Sequence, residues 1–581
     1  MHRINKETEA PPWRKIMRKN IPSQPTSSQQ AGQEPTDKPE RVLNLPNQKT
    51  DARQKKSRPP RRRRSLRAGA AIIAGRTAGA LSRRLHIGGG TSIVGMTAQR
   101  VAPNIVTHLA AQLEHGCLLV TGTNGKTTTS SFIAAILQDG GLRVWRNREG
   151  SNLMRGIASS LVIRALPNGA LRRSGNAISI LEVDEATLPQ LVQNISPRVT
   201  IFTNLFRDQL DRYGEVESVI NYWKQAIKNL PETSTLVLNA DDPAVASLGE
   251  AFTGRTLYYG IEDLTFDAHT TPDTKERLQI VDTRTCPHCG SDYIYEARFY
   301  SHMGHYHCPH CGNERPRPDV RATHIHIDTF DRQRLQITVD AQQHEMVVPL
   351  PGFYNLYNAL AATAAALAVG MPWEPIISGI EQFKPAFGRG ERIQAEGRTL
   401  RLLLAKNPTS FNEVLNTLFS DGIPRNLLLI LNDNTADGRD ISWIWDVDFE
   451  RIAEYTKTLT VAGTRALDLA IRLKYAGIEE ENMIIVPHTP LRTIRLASTQ
   501  RIRSKRAAQT AQQAGTSPGK MGSATYPARP HGLATALTTA IQQTPEGETL
   551  FIVPTYTGLL ELHRELESRG LAPRYWEEKN A

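Results

Sequence analysis

Thr121-Gly122-Thr123-Asn124-Gly125-Lys126-Thr127-Thr128 is the stretch from which the fold can be read. The apolar run Cys117-Leu118-Leu119-Val120 precedes it and a helix-like segment, 130–137, follows. Strand, phosphate-binding loop and helix is the order of a nucleotide site. Glycines let backbone N–H groups approach phosphate oxygens, Lys126 neutralises charge on the β- and γ-phosphates, and a hydroxyl from Thr127 or Thr128 can ligate Mg²⁺. The expected ligand is ATP, held by Gly122, Thr123, Asn124, Gly125, Lys126, Thr127 and Thr128. The loop departs from the common G-x-x-x-x-G-K-[ST] spacing, because Val120 stands at the first glycine position and Gly122 is the functional glycine.

Outward from this loop, short apolar runs alternate with helical stretches. Strands are expected over 117–120, 143–146, 177–183, 199–203, 236–239 and 257–259, and a helix over 216–230. Such alternation predicts a mostly parallel sheet covered on both faces, an α/β architecture. Segments 324–328, 335–339 and 345–348 read as edge strands, and the alanine-rich 355–369 as a helix. A second, smaller α/β unit is expected from 396 to 581, with strands over 402–404, 427–431, 459–461, 484–486 and 550–553. Residues 65–114 read as helix, a turn at Gly88-Gly89-Gly90, and helix, leading into a nucleotide domain over 115–395. Residues 498–529, rich in Gln, Ala, Ser, Thr, Gly and basic residues, read as a surface insertion with no core pattern.

At 581 residues the chain has room for two or three domains, each with its own core. Residues 1–67 carry 18 Lys and Arg against 6 Asp and Glu, a net +12 that equals that of the whole chain. The basic character therefore belongs to a tail, 1–64, which ends in Arg61-Arg62-Arg63-Arg64 and reads as disordered. Such a tail can grip anionic lipid headgroups or nucleic acid, and the first fits a lipid-linked substrate. Because the charge lies in the tail and not around the cysteines, no nucleic-acid partner is expected. No run is long and apolar enough to span a bilayer, and Met1-His2-Arg3 leads into no signal-peptide core, so a cytoplasmic protein is expected, at most peripheral at the inner membrane face.

Four of the five cysteines form two knuckles, Cys286-Pro287-His288-Cys289 and Cys308-Pro309-His310-Cys311, separated by eighteen residues and each followed by glycine. This is a zinc-ribbon spacing, expected over 283–315, with Cys286, Cys289, Cys308 and Cys311 as a closed, structural Zn²⁺ set. The fifth, Cys117, sits in the apolar run and reads as core.

The carboxylates that matter lie in Leu181-Glu182-Val183-Asp184-Glu185, at the C-terminal end of an expected strand, where α/β enzymes place their ligands. Glu182 is the foremost ligand for Mg²⁺ bound to ATP. Further along come Thr203-Asn204, Arg207-Asp208-Gln209-Leu210-Asp211, Asn239-Ala240-Asp241-Asp242-Pro243 and Gly352-Phe353-Tyr354-Asn355-Leu356-Tyr357-Asn358. Asn355 and Asn358 share one helix face and can hydrogen-bond an adenine edge.

The G-T-N-G-K-T-T form resembles the Mur ligases and folylpolyglutamate synthases, which activate a carboxylate as an acyl phosphate and then make an amide. The ordered set of fragments resembles the Mur ligase central domain, the P-loop sheet domain of that family, over roughly 115–385. The resemblance implies that Lys126 and Thr127 hold the triphosphate, Glu182 holds Mg²⁺, and Asn355 or Asn358 faces adenine. Two departures stand out: Gln209 replaces the histidine of a D-H-L-D motif, and there is no room for a domain that would hold a UDP group. With the inserted Cys₄ ribbon and the run Asn432-Asp433-Asn434-Thr435-Ala436-Asp437-Gly438-Arg439-Asp440-Ile441-Ser442-Trp443-Ile444-Trp445-Asp446, they resemble the MurT subunits of lipid II isoglutaminyl synthases. Ala405-Lys406-Asn407-Pro408 and Phe387-Gly388-Arg389-Gly390-Glu391 also fit.

That resemblance implies a glutamine-hydrolysing carbon–nitrogen ligase with a smaller Rossmann-like C-terminal domain. It would amidate the α-carboxylate of D-glutamate in the lipid II stem peptide through an acyl phosphate, in a heterodimer with a GatD-like glutaminase that supplies ammonia. An aspartate of the ligase subunit would orient the partner's catalytic histidine. Asp440 and Asp437 are the foremost choices and Asp433 the third, and spacing does not choose among them. Trp443 and Trp445 read as packing or interface anchors. The alternative is a Mur- or folyl-type ligase that adds an amino acid.

Overall fold

Apolar runs expected to be strands assemble around a single phosphate-loop strand, β1 (Cys117–Thr121), every residue of which is buried. The computed structural model describes residues 65–84, 91–147, 151–207, 216–266, 283–385, 387–488 and 532–572. The basic tail 1–64, the Gly88-Gly89-Gly90 turn, the Asp208-Gln209-Leu210-Asp211 segment and the 498–529 insertion lie outside these residues.

The first sheet continues with β2 (Arg143–Arg146), β3 (Ala177–Glu182), β4 (Val199–Phe202), β5 (Thr235–Asn239) and β6 (Arg255–Ile261). After a separate hairpin, β7 (Ile294–Tyr300) and β8 (Met303–His307), it takes in β9 (Val320–Thr329), β10 (Arg332–Val339) and β11 (Gln342–Val348). The order is β11-β10-β9-β6-β5-β4-β1-β3-β2. Strands from β2 through β6 run parallel, and β9, β10 and β11 form the expected edge as an antiparallel meander. Helices cover both faces, so the central strands are buried at every residue and do not alternate. Cys117 is 2% exposed, and burial pushes its thiol up to about 12, as befits an inert core residue.

The second sheet holds β12 (Arg389–Ala395), β13 (Arg398–Leu403), β14 (Arg425–Ile430), β15 (Thr456–Gly463), β16 (Ile484–Pro487) and β17 (Thr549–Pro554), ordered β12-β13-β17-β14-β15-β16. All pairs are parallel except β12 with β13. β12 lies ahead of the expected start at 396: its Arg, Glu and Gln give no apolar run, and pairing with β13 makes it a strand.

Glycines let the N-terminal helices pack tightly. The helix Thr91–Val101 crosses Met154–Arg164 at Gly95, where a Cβ would lie 2.1 Å from the Arg155 carbonyl, and the Gly95 N–H donates to Ser159 Oγ. Among the described residues no helix is long and apolar enough to cross a membrane.

The two sheets are tied directly. Nη1 and Nη2 of Arg401, on β13, both donate to Asp331 in the β9–β10 turn, with the guanidinium against the ring of Phe330, which packs on Phe551. Within the first sheet's domain, Asp241 is fully buried and accepts from the Ile261 N–H (2.9 Å), the Tyr357 hydroxyl (2.7 Å) and Arg315 Nε (2.6 Å). Arg315 also donates to Glu262 (2.8 Å). Removing Asp241 leaves the buried Arg315 with Glu262 as its one carboxylate and the Ile261 N–H and Tyr357 hydroxyl without their acceptor, so Asp241→Ala is expected to cost about 3–5 kcal/mol in denaturant unfolding. A loss below about 1 kcal/mol would show that the pair is not a structural hub.

Candidate functional site

β1 delivers its chain to the carboxyl edge of the sheet, and the loop turns there into the helix Lys126–Asp139. Gly122 and Gly125 have positive φ, and a Cβ on either would lie 2.1 Å from Thr203 Oγ1 or Asn358 Oδ1. Neither position admits a side chain. The loop is braced from β4: Asn204 accepts from the Thr123 and Asn124 N–H groups, and Thr203 Oγ1 donates to the Asn124 carbonyl. A rigid loop at a helix N-terminus presents N–H groups to anions.

Beside it stands the acidic edge of β3. Glu182 accepts from Thr127 Oγ1 (2.8 Å), Ser130 Oγ (2.7 Å) and Arg146 Nη2 (3.2 Å). Burial pushes this carboxyl up, but Arg146, the two hydroxyls and Arg389 outweigh burial and hold it below the usual range. An ionised carboxylate paired with the Thr127 hydroxyl is an oxygen set suited to Mg²⁺. Lys126 Nζ is fixed over the loop by Glu185 (2.6 Å) and by the Gly122 and Thr123 carbonyls.

The second sheet's domain closes over this edge and makes a cleft of about 730 Å³. Arg389 Nη1 reaches Thr128 Oγ1 (3.3 Å), and Asn407, which caps the helix Pro408–Phe419, donates to Asn124 Oδ1 (3.1 Å). Lys406 and Arg439 add positive charge to the same wall. Asn355 and Asn358 line the cleft but also hold each other: Asn358 Nδ2 donates to Asn355 Oδ1, and Asn355 Nδ2 to the Pro351 carbonyl. Asn355 also engages the Tyr354 hydroxyl, while the Asn358 amide nitrogen keeps one further N–H.

Several residues of the site carry no motif. Arg146, which pairs with Glu182, ends a four-residue strand, which is its one sequence signal, and the cleft residues Tyr300 and Glu413 come from segments that only folding brings to it.

The aspartates of the 433–440 loop separate by environment. Asp437 is buried and engaged inwardly, accepting from the Thr557 N–H and hydroxyl and the Asn434 N–H; burial outweighs these bonds and raises its carboxyl above the usual range. Asp433 pairs with Arg465 (2.9 Å). Asp440 is exposed, and the Ser442 N–H holds its carboxyl below the usual range. Nearby, Trp445, Ile471 and Tyr475 form an exposed apolar patch in which Trp445 and Tyr475 meet edge to face at 5.6 Å. Trp443 instead packs on Phe411 in the core.

The sulfurs of Cys286, Cys289, Cys308 and Cys311 lie within 4.8 Å of one another, with closest approaches of 3.4 and 3.6 Å. Tetrahedral Zn–S bonds of about 2.3 Å place sulfurs about 3.8 Å apart, so the set fits zinc.

The chain matches the Mur ligase middle domain family over residues 120–298 and the MurT ligase C-terminal family over 404–510. It is 33% identical over 391 residues to the lipid II isoglutaminyl synthase (glutamine-hydrolyzing) subunit MurT of Staphylococcus aureus (strain COL), covering 67% of this chain and 84% of that protein. It is 33% identical over 417 residues to the subunit of the same name from Streptococcus pneumoniae, covering 71% and 88%. In fold it is similar to a pseudomurein peptide ligase type C from Methanothermus fervidus (TM-score 0.51, 23% identity, 78% of each chain). MurF from Acinetobacter baumannii is comparably similar (TM-score 0.51, 16% identity, 83% and 79%).

Burial against Tyr300 and Tyr354 pushes the Glu413 carboxyl up to about 7, although Asn416 (3.0 Å) and Arg451 favour its charge. A carboxyl raised above its unfolded value favours folding below pH ~4.5 and loses that contribution as pH rises through ~7. Glu413→Gln should therefore gain stability relative to the parent between pH 5 and 8, by up to about 3 kcal/mol. Parallel unfolding curves across that range would contradict the shift.

Proposed function

The chain belongs to the MurT family, and from this premise we propose that it is the ligase subunit of a lipid II isoglutaminyl synthase. It converts the α-carboxylate of D-glutamate in the lipid II stem peptide to an amide, using ATP and ammonia. The observation that carries this reading is the cleft itself, where Lys126, Thr127 and Glu182 on one wall face Arg389, Lys406 and Arg439 on the other.

A free carboxylate is too poor an electrophile for amide formation, so the γ-phosphoryl group is transferred to it first. Glu182 and Thr127 would hold Mg²⁺, which would supply charge neutralisation at the phosphates. Lys126 and the loop N–H groups stabilise charge on the transferring group, and Arg389 reaches the same point from the opposite wall. Ammonia then attacks the acyl carbon and phosphate leaves. Ammonia is largely protonated near neutral pH, so a glutaminase partner that releases it neutral and close by is required.

Asp440 is the residue that completes the partner's Cys–His pair. It is exposed and ionised, whereas Asp437 is consumed by internal bonds. The Trp445–Tyr475 patch is the docking face beside it. Zinc at the four cysteines is structural. The exposed Leu66, Ile73 and Leu81 of the helix Leu66–Arg84 are the candidate contact with the membrane that carries the substrate.

Asp440→Ala should abolish glutamine-dependent amidation by at least about 10²-fold while leaving ammonium-dependent amidation intact. Asp437→Ala should lower both together through lost stability. If Asp440→Ala lowered both equally, the triad role would be wrong. Tyr475→Asp should weaken co-purification with the glutaminase by at least about tenfold, and unchanged affinity would place the interface elsewhere.

A further inference from the structure

The hairpin that grows from the cysteine knuckles does not end in solvent. β7 and β8 run some 20 Å from the knuckles to a turn that is buried in the ligase domain. At that turn Tyr300 and Met303 are at most 4% exposed and His302 is fully buried. Three contacts seat it. The Gly304 N–H donates to the Asp241 carbonyl (2.9 Å), the His305 ring meets the Ile261 carbonyl (2.7 Å), and His302 Nε2 lies 3.4 Å from Asp242. A Cβ at Gly304 would lie 2.2 Å from the Ala297 carbonyl, so the hairpin closes tightly just behind its tip.

The tip also reaches the phosphate loop. Asp242 accepts from the Leu205 N–H (2.8 Å), and the next residue, Phe206, exchanges hydrogen bonds with Thr123 Oγ1. Phe206 packs against both His302 (4.8 Å) and Tyr300 (5.9 Å, stacked). Tyr300 lines the cleft and meets Tyr357 at 5.8 Å. Tyr357 belongs to the helix that carries Asn355 and Asn358, so Tyr300 stands at the end of the cleft where these amides wait.

We propose that Tyr300 is a nucleotide-contacting residue of the ligase cleft, its ring packing against the base, and that metal at the four cysteines holds it in place. The ribbon is thus a wall of the active site whose position depends on its metal. This rests on the proposed ATP-dependent reaction and names a residue and an element that the reaction did not require.

The test is calorimetric binding to the full chain, with excess Mg²⁺, of two ligands: ATP, and inorganic tripolyphosphate, which lacks a base. Aromatic stacking on a base predicts that Tyr300→Ala weakens ATP at least about fivefold, leaves tripolyphosphate unchanged and keeps its zinc, while Tyr300→Phe behaves as the parent. Removal of zinc by a zinc-selective chelator should reproduce the Tyr300→Ala pattern, with retained tripolyphosphate binding reporting an intact loop. Equal losses for both ligands, or no loss for ATP, would overturn the base contact. A stripped chain with parental ATP affinity would overturn the metal dependence. Failure of the parent chain to bind ATP, or unaltered binding by Lys126→Ala, would remove the underlying ligase reading and the proposal with it.

Discussion

Glu182 is buried, and a carboxylate buried alone would take up a proton. Here Arg146, Ser130, Thr127 and Arg389 keep it charged. These partners come from the end of β2, the first turns of the helix after the phosphate loop, and β12 of the other sheet. Keeping one carboxylate ionised beside an anion-binding loop therefore fixes the relation of three elements and both domains. The same arrangement gives a site its two signs of charge: carboxylates for a cation, and N–H groups with Lys126 for phosphate.

Closing the cleft follows from this demand. The loop is held by residues outside it: Asn204, just after β4, takes the Thr123 and Asn124 N–H groups, Thr203 donates to the Asn124 carbonyl, and Asn407 donates to Asn124 from across the cleft. Gly122 is glycine because Thr203, and Gly125 because Asn358, comes too near for a side chain. The Arg401–Asp331 pair carries no chemistry, yet it holds the two sheets at the distance at which Arg389 reaches Thr128.

Much of this was legible in the sequence, because buried parallel strands must be continuous apolar runs and the phosphate loop must have its glycines. Arg143–Arg146 and the helix Tyr354–Ala368 stand within a residue of where the pattern put them. β12 was not legible, since its Arg389, Glu391, Arg392 and Gln394 follow the needs of the cleft and of an edge, not of a core. Spacing also left Asp437 and Asp440 equivalent, and only burial separates them. Tyr300 was hidden more deeply, because a metal-ribbon spacing says what the cysteines hold and nothing of where the hairpin tip is placed.

The most direct measurement is mass spectrometry of lipid II incubated with this protein, ATP and Mg²⁺, supplied with ammonium alone, glutamine alone, or glutamine with a co-expressed glutaminase. One carboxyl converted to an amide, from ammonium alone but from glutamine only with the partner, is the predicted result. ATP hydrolysis by folded protein without that product, or a product that has gained an amino acid, would contradict it.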